Sequence, residues 1–207
     1  MRILITGGPT HEYLDPVRCL TNPSTGRMGM ALARAAAKRG HSTVLVTGPT
    51  MFPDPKGVRV VRVVSAIDMD RAVRREFPKC DVVIGSAAVS DYRPESSAAS
   101  KIKKGPATMT LRLVKNPDVL GGCGARKGKR LLVGFALETD CGLENAADKM
   151  RRKRLDLIVL NGPESFGANR IGPTFLTPDG KRRAFGAMTK DRLSAKIVAF
   201  VEMASAQ

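Results

Sequence analysis

The segment Ile3-Leu4-Ile5-Thr6-Gly7-Gly8-Pro9-Thr10 decides the fold of this chain of 207 residues. Its first half predicts a short buried strand, because an unbroken apolar run that stops at glycine and proline is typical of a parallel strand inside a sheet. Gly7 and Gly8 then leave backbone N–H groups open to a phosphate, at the sheet edge where α/β folds bind ligands. The segment matches neither G-x-G-x-x-G nor G-x-x-x-x-G-K-[ST]. A plain tight turn is therefore the alternative to a phosphate-binding loop.

Strand and helix patterns alternate outward from this segment. Apolar runs predict strands, and apolar residues at helical spacing predict helices. The predicted strands are 44–46, 58–64, 80–84, 109–113, 131–135 and 157–160, with a hairpin of 174–177 and 183–185; the predicted helices are 28–36, 66–77, 143–150 and 189–201, the last capped by Thr189. This alternation predicts one Rossmann-like α/β domain over residues 1–207, with a doubly wound, mostly parallel sheet, helices on both faces and a small β-hairpin extension.

Composition excludes several classes of protein. Apolar residues make up 43% of the chain, which argues against disorder, and no apolar run approaches the ~18 residues of a membrane span. The formal net charge is +16, which implies affinity for anions or simply a solubilising basic surface. Aromatic residues make up only 4%, so base-stacking platforms for nucleic acid are poorly supplied. The four cysteines lie too far apart for a zinc motif, and we expect free thiols in a cytoplasmic protein.

Two long stretches, 7–26 and 86–106, have no regular pattern, and loops of that length are usually functional or mobile. In the first, Ser24-Thr25-Gly26 precedes a predicted helix, whose N-terminus can bind an anion; simple capping by Ser24 or Thr25 is the alternative. Arg18 and Asn22 have no capping role, which makes them the stronger candidates for a functional site.

The second stretch follows the strand that ends at Gly85. Small residues there would let a flat ring lie against the backbone, and Asp91 can accept a hydrogen bond from an amine or a hydroxyl. Three lysines around Ile102, starting at Lys101, suit a clamp on a polyphosphate, although a solvated charge run is the common alternative. Lys149 and Lys153 share one helix face and would either point at the sheet edge or belong to an ordinary basic surface.

Together, and in this order, these segments resemble phosphopantothenate–cysteine ligase over nearly the whole chain. The motifs that carry the resemblance are Ile5-Thr6-Gly7-Gly8-Pro9-Thr10, Asp15-Pro16-Val17-Arg18, residues 22–29, Ala87-Ala88-Val89-Ser90-Asp91-Tyr92-Arg93, Lys101-Ile102-Lys103-Lys104, Leu113-Val114-Lys115-Asn116-Pro117-Asp118, Val133-Gly134-Phe135-Ala136 with Glu138-Thr139, and Leu155-Asp156-Leu157-Ile158-Val159. We expect the ligase alone, without the flavin-dependent decarboxylase that precedes it in many bacteria.

The resemblance implies a reaction. Family members activate the carboxylate of 4′-phosphopantothenate with a nucleoside triphosphate and Mg²⁺, and L-cysteine then attacks the acyl-nucleotide. The Lys-Ile-Lys-Lys motif is similar to that of enzymes that use CTP, so we expect an acyl-cytidylate, with CTP and Mg²⁺ required and no flavin. The resemblance also implies a homodimer and a functional link to a decarboxylase, and no membrane or specific nucleic acid as a partner. It identifies no metal ligands.

Residue roles follow from the same motifs. Asn22, Lys101 and Arg18 correspond to the catalytic group, in which Asn22 handles the acyl intermediate and Lys101 the nucleotide phosphates. The positions that match the nucleotide pocket are Gly85, Ser86, Ala87, Asp91, Lys101, Pro117, Asp118, Val119, Leu120, Phe135, Lys149 and Lys153. The expected phosphate- and intermediate-binding loops comprise Gly7, Gly8, Thr10, Ser24, Thr25 and Gly26.

Two other classes stay open from the residues alone. The α/β alternation is compatible with an NAD(P)-dependent reductase, which lacks its glycine fingerprint here. The charge of +16 is compatible with a basic nucleic-acid-binding module, whose affinity would fall steeply with salt.

Overall fold

A sheet of eight strands forms the centre of the protein, of which the computed structural model describes residues 1–105, 107–162, 165 and 168–206. The strands are β1 (Arg2–Gly7), β2 (His11–Tyr13), β3 (Cys19–Thr21), β4 (Ser42–Thr47), β5 (Val58–Arg62), β6 (Val82–Gly85), β7 (Tyr92–Pro94), β8 (Leu113–Lys115), β9 (Leu131–Leu137), β10 (Leu157–Asn161), β11 (Arg170–Ile171), β12 (Thr174–Leu176), β13 (Arg182–Ala184) and β14 (Met188–Thr189). The helices are α1 (Arg27–Lys38), α2 (Ala66–Glu76), α3 (Val119–Ala125), α4 (Gly142–Lys153) and α5 (Lys190–Ser205), with a 3₁₀ turn at Phe77–Lys79.

The order of the strands confirms the predicted fold class. Across the main sheet they run β13-β12-β10-β9-β6-β1-β4-β5, and the six from β5 to β10 are parallel. Numbered along the chain, those six lie in the order 3-2-1-4-5-6, the doubly wound Rossmann arrangement. The order reverses between β1 and β6, which is where such folds place their ligand crevice.

Apolar side chains cover both faces of the sheet. Ile3 and Ile5 pack with α1 and α5, whereas Leu4, one residue out of phase, packs with α2, α3 and α4. Successive strand residues point to opposite faces, so a strand buried on both sides is apolar at every position. The unbroken apolar runs of the sequence are explained by this double burial.

The structure corrects several local predictions. The stretch 7–26 contains the hairpin β2–β3, and the stretch 86–106 contains β7, which pairs with β8. The strand predicted over 109–113 is wrong in position, because pairing with β7 begins only at Leu113. Helix α3 was not predicted, since three glycines in its seven residues hide its pattern. Leu143 was expected to face the core and is instead 39% exposed.

Of the predictions about helix caps and about the hairpin near the C-terminus, two are confirmed and one is wrong. Thr189 caps α5 as predicted, because its Oγ1 accepts a hydrogen bond from the Arg192 N–H at 3.2 Å. The hairpin β12–β13 is also confirmed. Capping of α1 by Ser24 or Thr25 is wrong, because the residue that precedes α1 is Gly26 in the left-handed conformation, with no side-chain cap.

No helix among the described residues is long and apolar enough to cross a membrane.

The first strand and the first helix meet backbone to backbone. A Cβ placed on Gly29 would lie 2.7 Å from Cα of Gly7, and a Cβ on Gly7 would lie 3.0 Å from Cα of Gly29. Only two glycines permit this approach, which places the start of α1 directly beside the end of β1.

Gly29→Ala is expected to destabilise the protein by about 1 kcal/mol. The backbone clash costs about 1–3 kcal/mol, which outweighs the gain of about 1 kcal/mol in helix propensity. Urea denaturation measures the free energy of unfolding. The matched control is Gly186→Ala, where an added Cβ meets nothing within 4 Å. Equal stability of the two variants would contradict the close contact.

Candidate active site

A cavity of about 720 Å³ opens at the carboxyl edge of the sheet, beside the point where the strand order reverses. Thr6, Gly85 and Phe135 reach it from the ends of β1, β6 and β9. Most of the residues predicted for the nucleotide pocket line it: Gly85, Ala87, Asp91, Pro117, Asp118, Val119, Leu120, Phe135, Lys149 and Lys153. The chain therefore brings together, at one sheet edge, residues that lie almost 70 positions apart in sequence.

Two lysines of α4 form a cationic wall of the cavity. Lys149 and Lys153 both line it, and the Lys153 Nζ donates to Oδ1 of Asp118 at 2.7 Å. Burial, followed by repulsion from Lys153, lowers the pKa of Lys149. Binding of a polyanion would relieve both effects, since it supplies opposite charge to two cations held close together.

Asp118 connects this wall to α3. Its carboxylate caps α3 by accepting from the Gly121 N–H at 2.8 Å. Burial alone would raise the pKa of Asp118, but the hydrogen bonds from Lys153 and Gly121 outweigh burial and hold that pKa below its ordinary value. Asp118 is thus an ionised residue that fixes Lys153 against the helix.

The opposite wall is made of small residues and one leucine. A Cβ on Gly85 would meet Cδ2 of Leu120 at 2.9 Å, and one on Gly134 would meet the same atom at 3.2 Å. Leu120 therefore packs over both glycines and forms part of this wall of the cavity. Ser86, which was predicted for this pocket, does not line it; its hydroxyl donates to the carbonyl of Thr6 at 2.7 Å and ties β6 to β1.

The expected phosphate loops lie behind the cavity rather than in its lining. Gly8 adopts φ +71°, and its carbonyl accepts from the Ala88 N–H at 2.9 Å. Thr10 is fully buried and accepts from the Ser90 N–H at 3.1 Å, so its hydroxyl is used inside the protein. None of the six predicted loop positions lines the cavity. Gly8 and Thr10 instead fix the segment Ala88–Ser90, whose neighbours do line it.

Asn22 lies against the same segment. Its Nδ2 donates to the carbonyls of Val89 at 3.2 Å and Ala88 at 3.4 Å. Because the amide nitrogen is occupied in this way, the oxygen is the atom of Asn22 left to meet a ligand. Asn22 itself does not line the cavity, but Val89, one of its two hydrogen-bond partners, does.

Arg18 and Lys101 form a second group. The Arg18 Nη2 donates to the carbonyl of Ile102 at 3.0 Å, so the lysine loop rests on the turn between β2 and β3. Lys101 itself is exposed and does not line the cavity. The structure joins Ile102, the neighbour of Lys101, to Arg18, and it places Lys101 outside the lining that the other predicted nucleotide-pocket residues share.

Sequence reasoning missed several residues of the cavity wall. Asn116 donates to the carbonyl of Ser90 at 2.9 Å and accepts from Arg93 at 3.2 Å, which fixes the 115–118 turn to the 90–93 segment. Its place in the Lys-Asn-Pro-Asp motif was the available signal. Glu138, Asn145 and Asp148 also line the cavity, and only the folded arrangement reveals this.

The part of the chain that the structure describes contains no group of three or more His, Cys, Asp or Glu side chains able to hold a metal ion. The one cysteine in the cavity lining, Cys123, is a poor nucleophile, because burial and the nearby Cys80 raise the pKa of its thiol to about 12. Lys149 and Lys153 are the side chains of this cavity wall that could bind an anion.

The strand order, with a cavity beside the point where it reverses, defines an α/β protein of the Rossmann type. The particular family follows from sequence: residues 1–204 match the model for the DNA/pantothenate metabolism flavoprotein C-terminal domain, and the chain belongs to that family.

Individual relatives agree with this assignment. The chain is 42% identical, over 95% of its length and 56% of the relative's, to a cysteine/cysteine sulfinic acid decarboxylase from an unknown prokaryotic organism. It is 41% identical, over 95% of its length and 51% of the relative's, to the coenzyme A biosynthesis bifunctional protein CoaBC of Vibrio cholerae. The crystal structure of the C-terminal domain of a CoaBC protein has a TM-score of 0.84 at 39% identity, covering 98% of this chain and 94% of that one. The chain thus spans about half the length of the curated relatives it matches.

Asp118→Asn is expected to lower stability by about 0.5–1 kcal/mol at pH 6, because Asp118 is half exposed and solvent screens its ion pair with Lys153. The folded-state pKa of Asp118 lies below the unfolded value of about 3.9, so its contribution is present above that pH and is lost as the pH falls through the folded pKa. Thermal unfolding of both proteins between about pH 6 and pH 2 measures this.

The control is Asp54→Asn, which removes a comparably exposed ion pair with Arg62 far from the cavity. A stability difference for Asp118→Asn that is as large at pH 2 as at pH 6 would contradict the assigned pKa shift.

Proposed function

We propose that this chain is a phosphopantothenate–cysteine ligase that acts in coenzyme A biosynthesis. The observation that carries the proposal is the cavity at the sheet edge, where Lys149 and Lys153 face the 85–91 segment on which Asn22 rests. Membership of the family and similarity to CoaBC support it. The relative named as a decarboxylase is nearly twice as long as the matched region, so its name describes more protein than this chain contains.

In the first step, a carboxylate oxygen of 4′-phosphopantothenate attacks the α-phosphorus of CTP. An acyl-cytidylate forms and pyrophosphate leaves. Lys149 and Lys153 balance the charge of the triphosphate, and Lys101 engages its phosphates when the lysine loop lies over the site. Two anions that repel each other must meet in this step, so cations account for much of its acceleration.

In the second step, the amine of L-cysteine attacks the acyl carbon. The new C–N bond releases CMP, and the amine proton leaves with it. Asn22 is the residue proposed to hold the intermediate, since its free amide oxygen can accept a hydrogen bond from a ligand while Nδ2 stays on Ala88 and Val89. No protein nucleophile takes part, which is consistent with the raised pKa of Cys123.

CTP is the proposed nucleotide. The Lys-Ile-Lys-Lys motif of residues 101–104 supports this choice, because it is similar to that of enzymes that use CTP. Gly85 and Ala87 present backbone and small side chains to the cytosine ring.

Mg²⁺ would arrive bound to the triphosphate. This ion keeps several waters and binds proteins through one or two carboxylates plus substrate phosphates, so it needs no dedicated cluster. Asp91, in the cavity lining, would hold it. When bound, the ion neutralises phosphate charge. The reaction transfers no electrons, so the proposal contains no flavin.

The proposed assembly is a homodimer with a functional link to a phosphopantothenoylcysteine decarboxylase, which would consume the product. Large apolar side chains are exposed around β2, β7 and β8, which fits a subunit interface: Tyr13, Val17, Tyr92, Met109, Leu111 and Leu113. A monomer in sedimentation equilibrium at assay concentrations would contradict the dimer.

A nucleotide panel tests the reaction class and the base preference together. Pyrophosphate release is expected with 4′-phosphopantothenate, L-cysteine and CTP, and at least about tenfold more slowly with ATP, because a lost shape match in the base pocket is worth on the order of 1–3 kcal/mol. Omission of cysteine should prevent formation of phosphopantothenoylcysteine. No pyrophosphate with any nucleoside triphosphate would overturn the proposed function.

Asn22→Ala should leave CTP affinity within about twofold and lower product formation by 10²-fold or more, the usual value of a positioned polar group at a reacting centre. Acyl-cytidylate should accumulate in quenched samples, because its capture by cysteine is impaired. The control is Asn169→Ala, at an exposed asparagine outside the cavity. An unchanged overall rate in Asn22→Ala would remove Asn22 from the mechanism.

A further inference from the structure

Asp15 is a fully buried carboxylate beside the site, and the roles assigned above do not use it. Its Oδ1 accepts from the backbone N–H groups of Val17 and Arg18, both at 2.8 Å. Its Oδ2 accepts from the Ile102 N–H at 3.1 Å, and Nη1 of Arg18 lies 3.7 Å from the same oxygen. Burial raises the pKa of Asp15, but these backbone donors and Arg18 lower it by more, so the group stays ionised.

These contacts join two segments that are 87 residues apart. The turn between β2 and β3 supplies Asp15 and Arg18, and the lysine loop supplies both polar groups of Ile102. Asp15 accepts from the N–H of Ile102, while Arg18 donates to its carbonyl at 3.0 Å. Ile102 is thus held at both ends of its backbone by a carboxylate and a guanidinium that also contact each other.

The loop has little else to hold it near this point. Residues 95–101 and 103–105 are exposed, and the next link to the hairpin is the Ala98 N–H, which donates to the carbonyl of Leu14 at 2.8 Å. Lys101 directly precedes Ile102. The fixed backbone of Ile102 therefore limits where the Lys101 backbone can lie. A lysine on an unanchored loop would lose more rotamer and backbone freedom when it meets a phosphate.

We propose that Asp15 is a positioning residue that fixes the backbone at Ile102 and thereby anchors the loop from which Lys101 reaches the nucleotide phosphates when CTP binds. The inference rests on the proposed function. A carboxylate is required at this position because both of its oxygens face N–H donors. An asparagine would turn an amide N–H toward one of those donors, which breaks the contact without changing the size of the side chain.

The experiment is a double-mutant cycle of Asp15→Asn and Lys101→Gln, measured as pyrophosphate release in a single turnover with 4′-phosphopantothenate and saturating CTP. Asp15→Asn is expected to lower the rate about tenfold, as the loss of a charge-assisted hydrogen bond implies, with CTP affinity changed less than about twofold because the cavity lining is untouched. In the Lys101→Gln background, Asp15→Asn should cost less than about twofold more. Rate losses that multiply in the double variant would show that Asp15 does not act through Lys101, and would overturn the proposal.

Limited proteolysis gives a readout that does not depend on the reaction. Trypsin should cut after Lys103 and Lys104 about tenfold faster in Asp15→Asn than in the original protein, relative to cleavage after Lys181 in the distant β12–β13 turn. Asp191→Asn, which removes an exposed carboxylate paired with Arg34, serves as the control and should leave the ratio unchanged. An unchanged ratio in Asp15→Asn would also overturn the proposal.

Ile102→Pro removes the same N–H donor from the loop side, leaves the buried carboxylate intact, and replaces Asp15→Asn if that variant fails to fold. It should reproduce the faster cleavage after Lys103 and Lys104 and the same loss of rate. Absence of pyrophosphate release by the original protein would refute the proposed function, whereas the proteolysis result would still decide whether Asp15 holds the lysine loop.

Discussion

The contact between Gly7 and Gly29 is the constraint on which the candidate site depends. The end of β1 and the start of α1 touch through their backbones, which is possible only because neither residue carries a Cβ. This contact sets where the chain 22–26 enters the helix, and so where Asn22 lies. Ser86 then ties the end of β6 to β1, so the edges of two neighbouring strands and one helix terminus are held in a fixed relation.

The second determinant is the pair of lysine side chains that α4 places in the cavity lining. Lys149 and Lys153 lie one helical turn apart in the cavity lining, and Lys153 pairs with Asp118. Burial, followed by repulsion from Lys153, lowers the pKa of Lys149, whereas Glu138, Asp118 and Asp91 act in the opposite direction. Under the proposed function, these two lysines would meet the phosphates of the nucleotide. At Asp15, a buried carboxylate gathers N–H donors from two segments and gives the lysine loop a defined place.

Much of the fold could be predicted because the strands are buried on both faces. Unbroken apolar runs such as Val82–Ile84 are recognisable without knowing which side chains point to which face of the sheet, because all of them are apolar. Glycines mark the ends of these runs. The short elements were harder. The hairpin β2–β3 has three residues in each strand, too few for any alternation to emerge, and α3 contains three glycines that weaken a helical pattern. Single carboxylates hold both elements: Asp15 accepts from the Arg18 N–H in the turn between β2 and β3, and Asp118 caps α3.

The candidate site could be predicted only in part, because its motifs contain both residues that line the cavity and residues that support them. Residues such as Asp91, Phe135 and Lys149 were recognisable from motifs at strand ends and on one helix face, and the structure brings them to one cavity. Thr10 and Ser86 belong to the same motifs, yet their hydroxyls bond inside the protein. A motif preserves binding residues and the residues that support them alike, so the two kinds separate only when hydrogen-bond partners are known.

A crystal structure of the protein with CTP and Mg²⁺ tests the central claim most directly. The account predicts cytosine over Gly85 and Ala87, with the triphosphate between the lysines of α4 and the start of α1, and with Asn22 and Lys101 on the same side of the nucleotide's α-phosphorus. Density for the triphosphate away from this cavity, for example in the groove between β13 and α5, would contradict it.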